Sequence, residues 1–280
     1  MDSVAVQISA PETTQELLIA ELSGYDVCGF EQDDHHLVIY FRQDGLSDEI
    51  CSRLRRILRR HGLSGEWDER VIPERDWNSD WERSIQPISV PPFYVRSSWA
   101  KPDSREEKSI ELIIDPQMSF GTGHHESTRL ALHHLGACGE KLAYVLDVGT
   151  GSGILAIAAA KMGAQSVLGI DIDPWALRNA SENVVLNQVA ELVEIREGTY
   201  ESVEERGFSL ILANINRTVL TRDLVSYIHL AESGAVVILS GLQLADKSII
   251  TELLDENDCP PIDERTEADW WSVRALCPSS

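Results

Sequence analysis

The sequence predicts an α/β protein: a parallel sheet covered by helices on both faces, preceded by a smaller α+β unit. Three observations carry that expectation. After residue 109, short apolar strands alternate with helices, the pattern of parallel strands buried on both sides. A glycine-rich turn, Gly149-Thr150-Gly151-Ser152-Gly153, lies between one such strand and an Ala-rich helix, where nucleotide-binding turns belong. The first 70 residues read in the order β-α-β-β-α-β, the ferredoxin-like pattern.

The elements follow in order. Val4, Val6 and Ile8 alternate with Ala5 and Gln7, a strand signal. Thr13 or Thr14 can cap a helix with apolar positions at Leu17, Leu18 and Leu22, ending at Gly24. Two strands are expected at residues 25–31 and 36–41, with Asp33-Asp34 at the turn. A second helix spans residues 47–61, stops at Gly62, and gathers Ile50, Leu54, Ile57 and Leu58 on one face. Residues 66–72 alternate again. Trp77, Trp81 and Trp99 then lie among Pro73, Pro87, Pro91, Pro92 and Pro102; residues 76–83 read as a short helix and the rest as extended connector. In the second part, strands are expected at 110–114, 144–147, 166–171, 192–196, 208–213 and 235–240. Helices are expected at 128–135, 154–162 and 175–186. The boundaries are residues 1–70 for the first domain, 71–105 for a linker in which the domains can reorient, and 106–280 for the second.

The chain has 280 residues, 43% of them apolar, and a formal charge of -22. Such a field repels phosphate, so the protein as a whole is not expected to coat nucleic acid. It favours basic partners, and adaptation to a salty cytoplasm explains it equally well. Five arginines, Arg53, Arg55, Arg56, Arg59 and Arg60, crowd the second helix against this trend. They read either as a solvated face with cations near a helix C-terminus or as a local contact for RNA or for an acidic patch on a partner. No run of 18 apolar residues and no basic-then-apolar start appear, so neither a membrane span nor a signal peptide is expected. Cys28, Cys51, Cys138, Cys259 and Cys277 are odd in number and contain no C-x-x-C pair, which fits a reducing cytoplasm.

The turn Asp147-Val148-Gly149-Thr150-Gly151-Ser152-Gly153 has the spacing G-x-G-x-G rather than the dinucleotide G-x-G-x-x-G. Gly149 and Gly151 let the backbone turn tightly near a ligand, and Gly153 is expected to bring the next helix close to the sheet. Asp171 ends the following strand, 24 positions after Asp147, about the offset of a ribose-binding carboxylate. Asp173, before Pro174, reads as a helix N-cap. Ser119-Phe120-Gly121-Thr122-Gly123-His124-His125-Glu126-Ser127-Thr128 forms a flexible polar loop able to close over a ligand. Asn214 ends a buried strand at the edge where open α/β sheets bind ligands. It is followed by Ile215-Asn216-Arg217 rather than Pro-Pro-Tyr, a better fit to a flexible aliphatic amine than to a planar base or amide.

The strings F-G-T-G-x-H-x-x-T, D-V-G-T-G-S-G, G-I-D-I-D-P and Leu212-Ala213-Asn214-Ile215 together resemble the ribosomal protein L-eleven methyltransferase family. Asp80-Trp81-Glu82 resembles its tryptophan-containing linker and residues 267–271 its final strand. The match is clear from about Trp77 to Arg274 and only topological over the first 70 residues. Asn216-Arg217 departs from the small apolar residues that relatives often carry. The resemblance implies a Rossmann-like class I methyltransferase domain behind a ferredoxin-like substrate-recognition domain. It further implies S-adenosylmethionine as cofactor, a large-subunit ribosomal protein as substrate and the cytoplasm as location; with such a substrate, a contact of the second-helix arginines would be to ribosomal RNA or to an acidic patch on the substrate. By position, Thr128, Gly149, Gly151, Asp171 and Asn214 match the cofactor contacts. Phe120, Gly121, Thr122 and Gly123, with His124, match the loop that closes on the cofactor.

Transfer from a sulfonium to an amine is an in-line displacement with an activated leaving group, so alignment dominates and can supply roughly 7–11 kcal/mol. The attacking amine must be neutral. A lysine, with a reference pKa near ~10.4, needs desolvation or a proton acceptor; an N-terminal amine, near ~7.7–8.0, needs less. Asn214 can orient the amine through its side-chain or backbone oxygen, and His124 is the candidate base. No G-x-S-x-G elbow, phosphate loop or H-E-x-x-H is present, and no metal is expected. Two alternatives stay open: a small-molecule amine methyltransferase on the same fold, and a non-catalytic nucleotide-binding assembly factor. Oligomeric state is not legible.

Overall fold

A computed structural model describes residues 3–22, 25, 27–33, 35–42, 45–72, 85–103, 106, 108–117, 119–139 and 142–278. The expected stops and turns at Gly24 and Asp34, the helix over residues 76–83, and Asp80-Trp81-Glu82 lie outside them. The chain divides into two compact units, Met1–Trp77 and Asn78–Ser280.

The first unit is a four-stranded antiparallel sheet under two helices. Its elements are β1 (Ser3–Ser9), α1 (Glu12–Leu22), β2 (Gly29–Gln32), β3 (His36–Arg42), α2 (Asp48–Arg60) and β4 (Asp68–Ile72). The sheet order is β2-β3-β1-β4, with all neighbours antiparallel, as the ferredoxin-like pattern requires. Val6 and Ile8 of β1 and Leu37, Ile39 and Phe41 of β3 turn to one face, because alternate side chains of a strand share a side. Against them pack Leu18 and Leu22 of α1 and Leu54, Ile57 and Leu58 of α2. Leu17 instead is exposed. Ser47 caps α2 by accepting from the Ile50 amide at 3.3 Å. Asp48 and Glu49 lie in the first turn and Arg59 and Arg60 in the last, each sign at its favourable end of the dipole. Three of the clustered arginines are engaged inside the unit: Arg53 with Glu49 at 2.6 Å, Arg60 with Glu21 at 2.7 Å, and Arg55 over the Trp67 ring at 4.9 Å.

The second unit begins with a small sheet where an extended connector was expected. β5 (Ile88–Val90) pairs antiparallel with β6 (Phe93–Arg96), which pairs parallel with β7 (Ile110–Ile113). The prolines mask these strands in the sequence, yet Val90, Phe93, Tyr94 and Val95 are buried and need partners for their backbone groups.

The main sheet has seven strands: β8 (Tyr144–Val148), β9 (Ser166–Asp171), β10 (Val193–Glu197), β11 (Phe208–Asn214), β12 (Ala231–Gln243), β13 (Pro261–Glu267) and β14 (Trp270–Leu276). Its order is β10-β9-β8-β11-β12-β14-β13. β8 to β12 run parallel, and the last two strands form an antiparallel hairpin. The helices are α3 (Glu126–Gly136), α4 (Ile154–Lys161), α5 (Pro174–Leu186), α6 (Arg217–Leu230) and α7 (Lys247–Glu256). One apolar core lies around α4, whose residues from Ile154 to Ala160 are all buried; the second lies around α6, α7 and the buried Trp271. No helix among the described residues is long and apolar enough to cross a membrane.

Four expectations change. α3 starts at Glu126, two residues early, because the His125 side chain caps it by accepting from the Ser127 amide. Gly153 does not mainly admit the sheet: a Cβ there would lie 3.2 Å from Ala180 Cβ, so it lets α4 and α5 approach. β12 is longer than expected and bulges at Gly241, where φ is +78° and a Cβ would lie 2.5 Å from the Ile215 carbonyl oxygen. Residues 267–271 are a hairpin turn rather than one strand. Glu267 pairs with Trp270 across Ala268, whose φ is 50°, and this short reversal sends Trp270 and Trp271 to opposite sides.

Candidate active site

A cavity of about 640 Å³ opens at the carboxyl ends of β8, β9, β11 and β12. The strand order reverses between β8 and β11, and in open α/β sheets ligands bind at this crevice. Gly149, Gly151, Asp171, Asn214 and Phe120 line it, so five sequence-picked residues from four chain segments meet there. Thr128, Gly121, Thr122, Gly123 and His124 do not line it.

The glycine turn has little freedom. Gly149 has φ +68° and Gly151 φ +56°, and a Cβ on either would lie 2.5 Å from Ile215 Cγ2 or the Phe120 carbonyl oxygen. Asp147 braces the turn from below. Its Oδ2 accepts from the Thr150 hydroxyl at 2.7 Å and the Ala156 amide at 3.2 Å. Burial raises its carboxyl pKa to about 7, against the lowering effect of those bonds.

Asp171 ties two loops together. Its Oδ2 accepts from the Gly151 amide at 2.9 Å, and its Oδ1 from the Ile172 and Asp173 amides at 2.8 and 3.0 Å. An ionised carboxylate offers about four acceptor sites, so roughly one, on Oδ2, is left for a ligand hydroxyl. Asp173 caps α5 by accepting from the Trp175 amide at 3.0 Å, with Pro174 in the first turn.

The Phe120 loop is strapped to the turn by Ser152. The Ser152 amide donates to the Phe120 carbonyl at 2.9 Å and its hydroxyl to the Gly121 carbonyl at 2.6 Å. Gly123 faces Val95 and Ile154 instead of the cavity. Behind the loop runs a row of buried asparagines, which sequence reasoning missed. Asn187 exchanges bonds with the Ile113 backbone, Asn183 accepts from the Asp115 amide at 3.0 Å and donates to the Ser152 carbonyl at 2.9 Å, and Asn179 donates to the Asp115 carbonyl at 3.0 Å. Their i, i+4, i+8 spacing on α5 is the signal that could have found them.

The two histidines turn opposite ways, as neighbours in extended backbone do. His124, the sequence's candidate base, points Nε2 at the Gln86 carbonyl at 2.7 Å, and its Nδ1 is buried without a partner among the described residues. His125 lines the cavity. Its Nδ1 accepts from the Ser127 amide at 3.2 Å, which leaves the ring proton on Nε2 in the neutral form. Its ring meets those of Phe120 and Trp270 edge-on, with centroids 5.1 and 4.5 Å apart. In F-G-T-G-x-H the fixed histidine is His125, a signal present in the string itself. Trp270 opens β14 and belongs to the string that resembles the family's final strand, but nothing in that string marks it as a wall of the cavity.

Asn214 sits at the centre. Its Nδ2 donates to Thr128 Oγ1 at 3.3 Å, so Thr128 acts from behind it, while its Oδ1 is buried with no partner among the described residues. An unpaired buried amide oxygen is costly, and it awaits a donor in the cavity. Asn216 and Arg217 have local tasks: Asn216 caps α6 through the Val219 amide, and Arg217 pairs with Asp246. No group of three His, Cys, Asp or Glu side chains among the described residues converges as metal ligands.

Similarity to known proteins identifies the family. The family model described as "Ribosomal protein L11 methyltransferase (PrmA)" matches residues 1–276, including the first 70, where motifs alone gave only topology. A ribosomal protein L11 methyltransferase of Porphyromonas gingivalis is 36% identical over 94% of this chain and 91% of its own length. One of Chlorobaculum tepidum is 35% identical over 92% and 91%. The crystal structure of ribosomal protein L11 methylase from Lactobacillus delbrueckii subsp. bulgaricus superposes with a TM-score of 0.64 at 28% identity, over 70% of this chain and all of that one. With the family model spanning nearly the whole chain and the motif loops gathered at one crevice, the chain belongs to the ribosomal protein L11 methyltransferase family.

Proposed function

We propose that the protein transfers methyl groups from S-adenosylmethionine to amino groups of ribosomal protein L11. The observation that carries this reading is the Asn214 side-chain oxygen, buried and unpaired in the cavity beside the glycine turn. When bound, S-adenosylmethionine supplies an electrophilic methyl group on a sulfonium. The residues fit it: bare backbone at Gly149 and Gly151 lets a ligand approach, and Asp171 keeps an open acceptor on Oδ2 for a ribose hydroxyl. Thr128 holds the Asn214 amide so that Oδ1 accepts an N–H of the attacking amine and turns its lone pair to the methyl. Phe120, His125 and Trp270 exclude water, which lowers the cost of the neutral amine relative to the ammonium. His125 Nδ1 is committed to the α3 cap, so its ring serves as a wall and a donor. Alignment and desolvation thus supply the rate, and no general base is assigned. The first unit is proposed to recognise the protein substrate. A small-molecule substrate is not favoured by any feature of the cavity.

Calorimetric titration with S-adenosylhomocysteine tests the cofactor site. Wild type is expected to bind, and Asp171→Ala to weaken Kd by on the order of tenfold to a hundredfold, the range of hydrogen bonds to charged groups. Unchanged affinity in Asp171→Ala contradicts the placement.

A further inference from the structure

The cavity extends beyond the groups that align methyl and amine, into a lobe lined by Tyr200, Arg222, Asp223 and Tyr227. Tyr200 lies in the 3-10 turn after β10, and the other three lie on α6. Asp223 is 2% exposed and Tyr227 1%. The two tyrosine rings meet edge-on with centroids 5.8 Å apart. Arg222 grips the carboxylate from outside, its Nε donating to Oδ1 at 2.7 Å and its Nη2 to Oδ2 at 2.6 Å. The guanidinium offsets the cost of burying the charge; of the about four acceptor sites of a carboxylate, Arg222 takes two and the Tyr227 hydroxyl a third, which leaves roughly one. Burial and the nearby Asp223 raise the Tyr227 hydroxyl pKa, so the phenol remains a donor.

The lobe's place in the sheet indicates its ligand. β9 lies between β8 and β10. A nucleoside whose ribose sits on Asp171, at the end of β9, and whose sulfonium points toward Asn214 on β11, directs its base toward β10. Tyr200 follows that strand. Among the other lining carboxylates, Asp171 holds three amides and Asp173 caps α5. Thr199, on the β10 loop, accepts from the Glu201 amide at 3.3 Å. Asp223 is the remaining carboxylate that lines the cavity.

We propose that Asp223 is a specificity-determining residue that accepts a hydrogen bond from the exocyclic amine of the cofactor's purine, with Arg222 holding it in place. A carboxylate accepts from an amine and repels the carbonyl of a 6-oxo purine, so the lobe selects adenine nucleosides. The proposal rests on the reading of this cavity as the S-adenosylmethionine site.

Calorimetry on the full chain tests it, with S-adenosylhomocysteine and the analogue in which hydrogen replaces the exocyclic amine. Wild type is expected to prefer the amine by at least about tenfold, the order for a hydrogen bond to a charged group. Asp223→Ala is expected to bring the ratio to within about threefold. Asp223→Asn, which keeps the shape and a neutral acceptor, is expected to reduce it part-way. An unchanged ratio in either folded variant overturns the proposal, as does a wild type that binds both compounds equally. A wild type that binds neither overturns the cofactor reading itself, and this proposal with it.

Discussion

Asn214 donates to Thr128 at 3.3 Å, and in the proposed mechanism Asn214 touches the reactants while Thr128 fixes its angle. Asn214→Ala removes the unpaired oxygen and the tether together. It is expected to lower kcat on the order of a hundredfold, the cost of a misplaced reactant, while Kd for S-adenosylhomocysteine moves much less. Stopped turnover with a matched loss of cofactor binding would place Asn214 on the cofactor alone. Asn214, Asp171 and the two glycines were legible because strand ends and a tight turn fix where their side chains or bare backbone must be. His125 was not, although its motif contains it. Which of two adjacent histidines faces a cavity depends on which one caps the next helix, and histidine is not among the residues favoured at that position.

At the scale of elements, the site depends on α3 and on the hairpin of β13 and β14. α3 presents His125 and Thr128 at its start, and Arg129 pairs with Glu267 at 2.6 Å. Farther along, His134 is fully buried, with Asp263 Oδ2 3.3 Å from Nδ1 and the Ser272 backbone also facing the ring. Burial lowers its pKa to about 4, with Arg265 and Arg274 adding to the effect and Asp263 opposing it. The unfolded chain binds this proton below about pH 6.5 and the folded one only near 4. Stability is therefore full above 6.5 and falls by up to about 3 kcal/mol as pH drops through that window. Asp147 has the opposite sign, its contribution being lost as pH rises from 3.8 to about 7. Comparison with a His134→Leu variant isolates the histidine. The wild-type Tm is expected to fall relative to the variant's between pH 6.5 and 4 and to keep a constant offset above 7; parallel curves throughout would show His134 charged in the fold.

The parallel strands were legible from their apolar runs, and α6 is readable in the spacing of Leu220, Leu224 and Tyr227. β5 and β6 were hidden by prolines. The hairpin was hidden because Ala268 occupies a left-handed turn position that its identity does not advertise.

For the whole molecule, the charge of -22 bears on encounter rather than chemistry. Attraction of a basic protein to an acidic one weakens with ionic strength, so kcat/KM toward L11 is expected to fall as salt is added, mostly through KM. A requirement for salt would instead mark the acidity as adaptation to a salty interior. Composition alone could not separate these readings, because charge sums over the surface and does not record where a partner docks. The two-part organisation was visible in the change of pattern along the chain, while the identity of the substrate rests on motif loops and family membership.

Methyl transfer to a ribosomal protein is proposed to run through the Asn214 cavity, and intact-mass analysis of L11 after incubation with S-adenosylmethionine and the enzyme tests this most directly. L11 is expected to gain mass in whole methyl increments with wild type and to remain largely unmodified with Asn214→Ala. L11 unchanged by wild type, or methylated equally well by the variant, would contradict it.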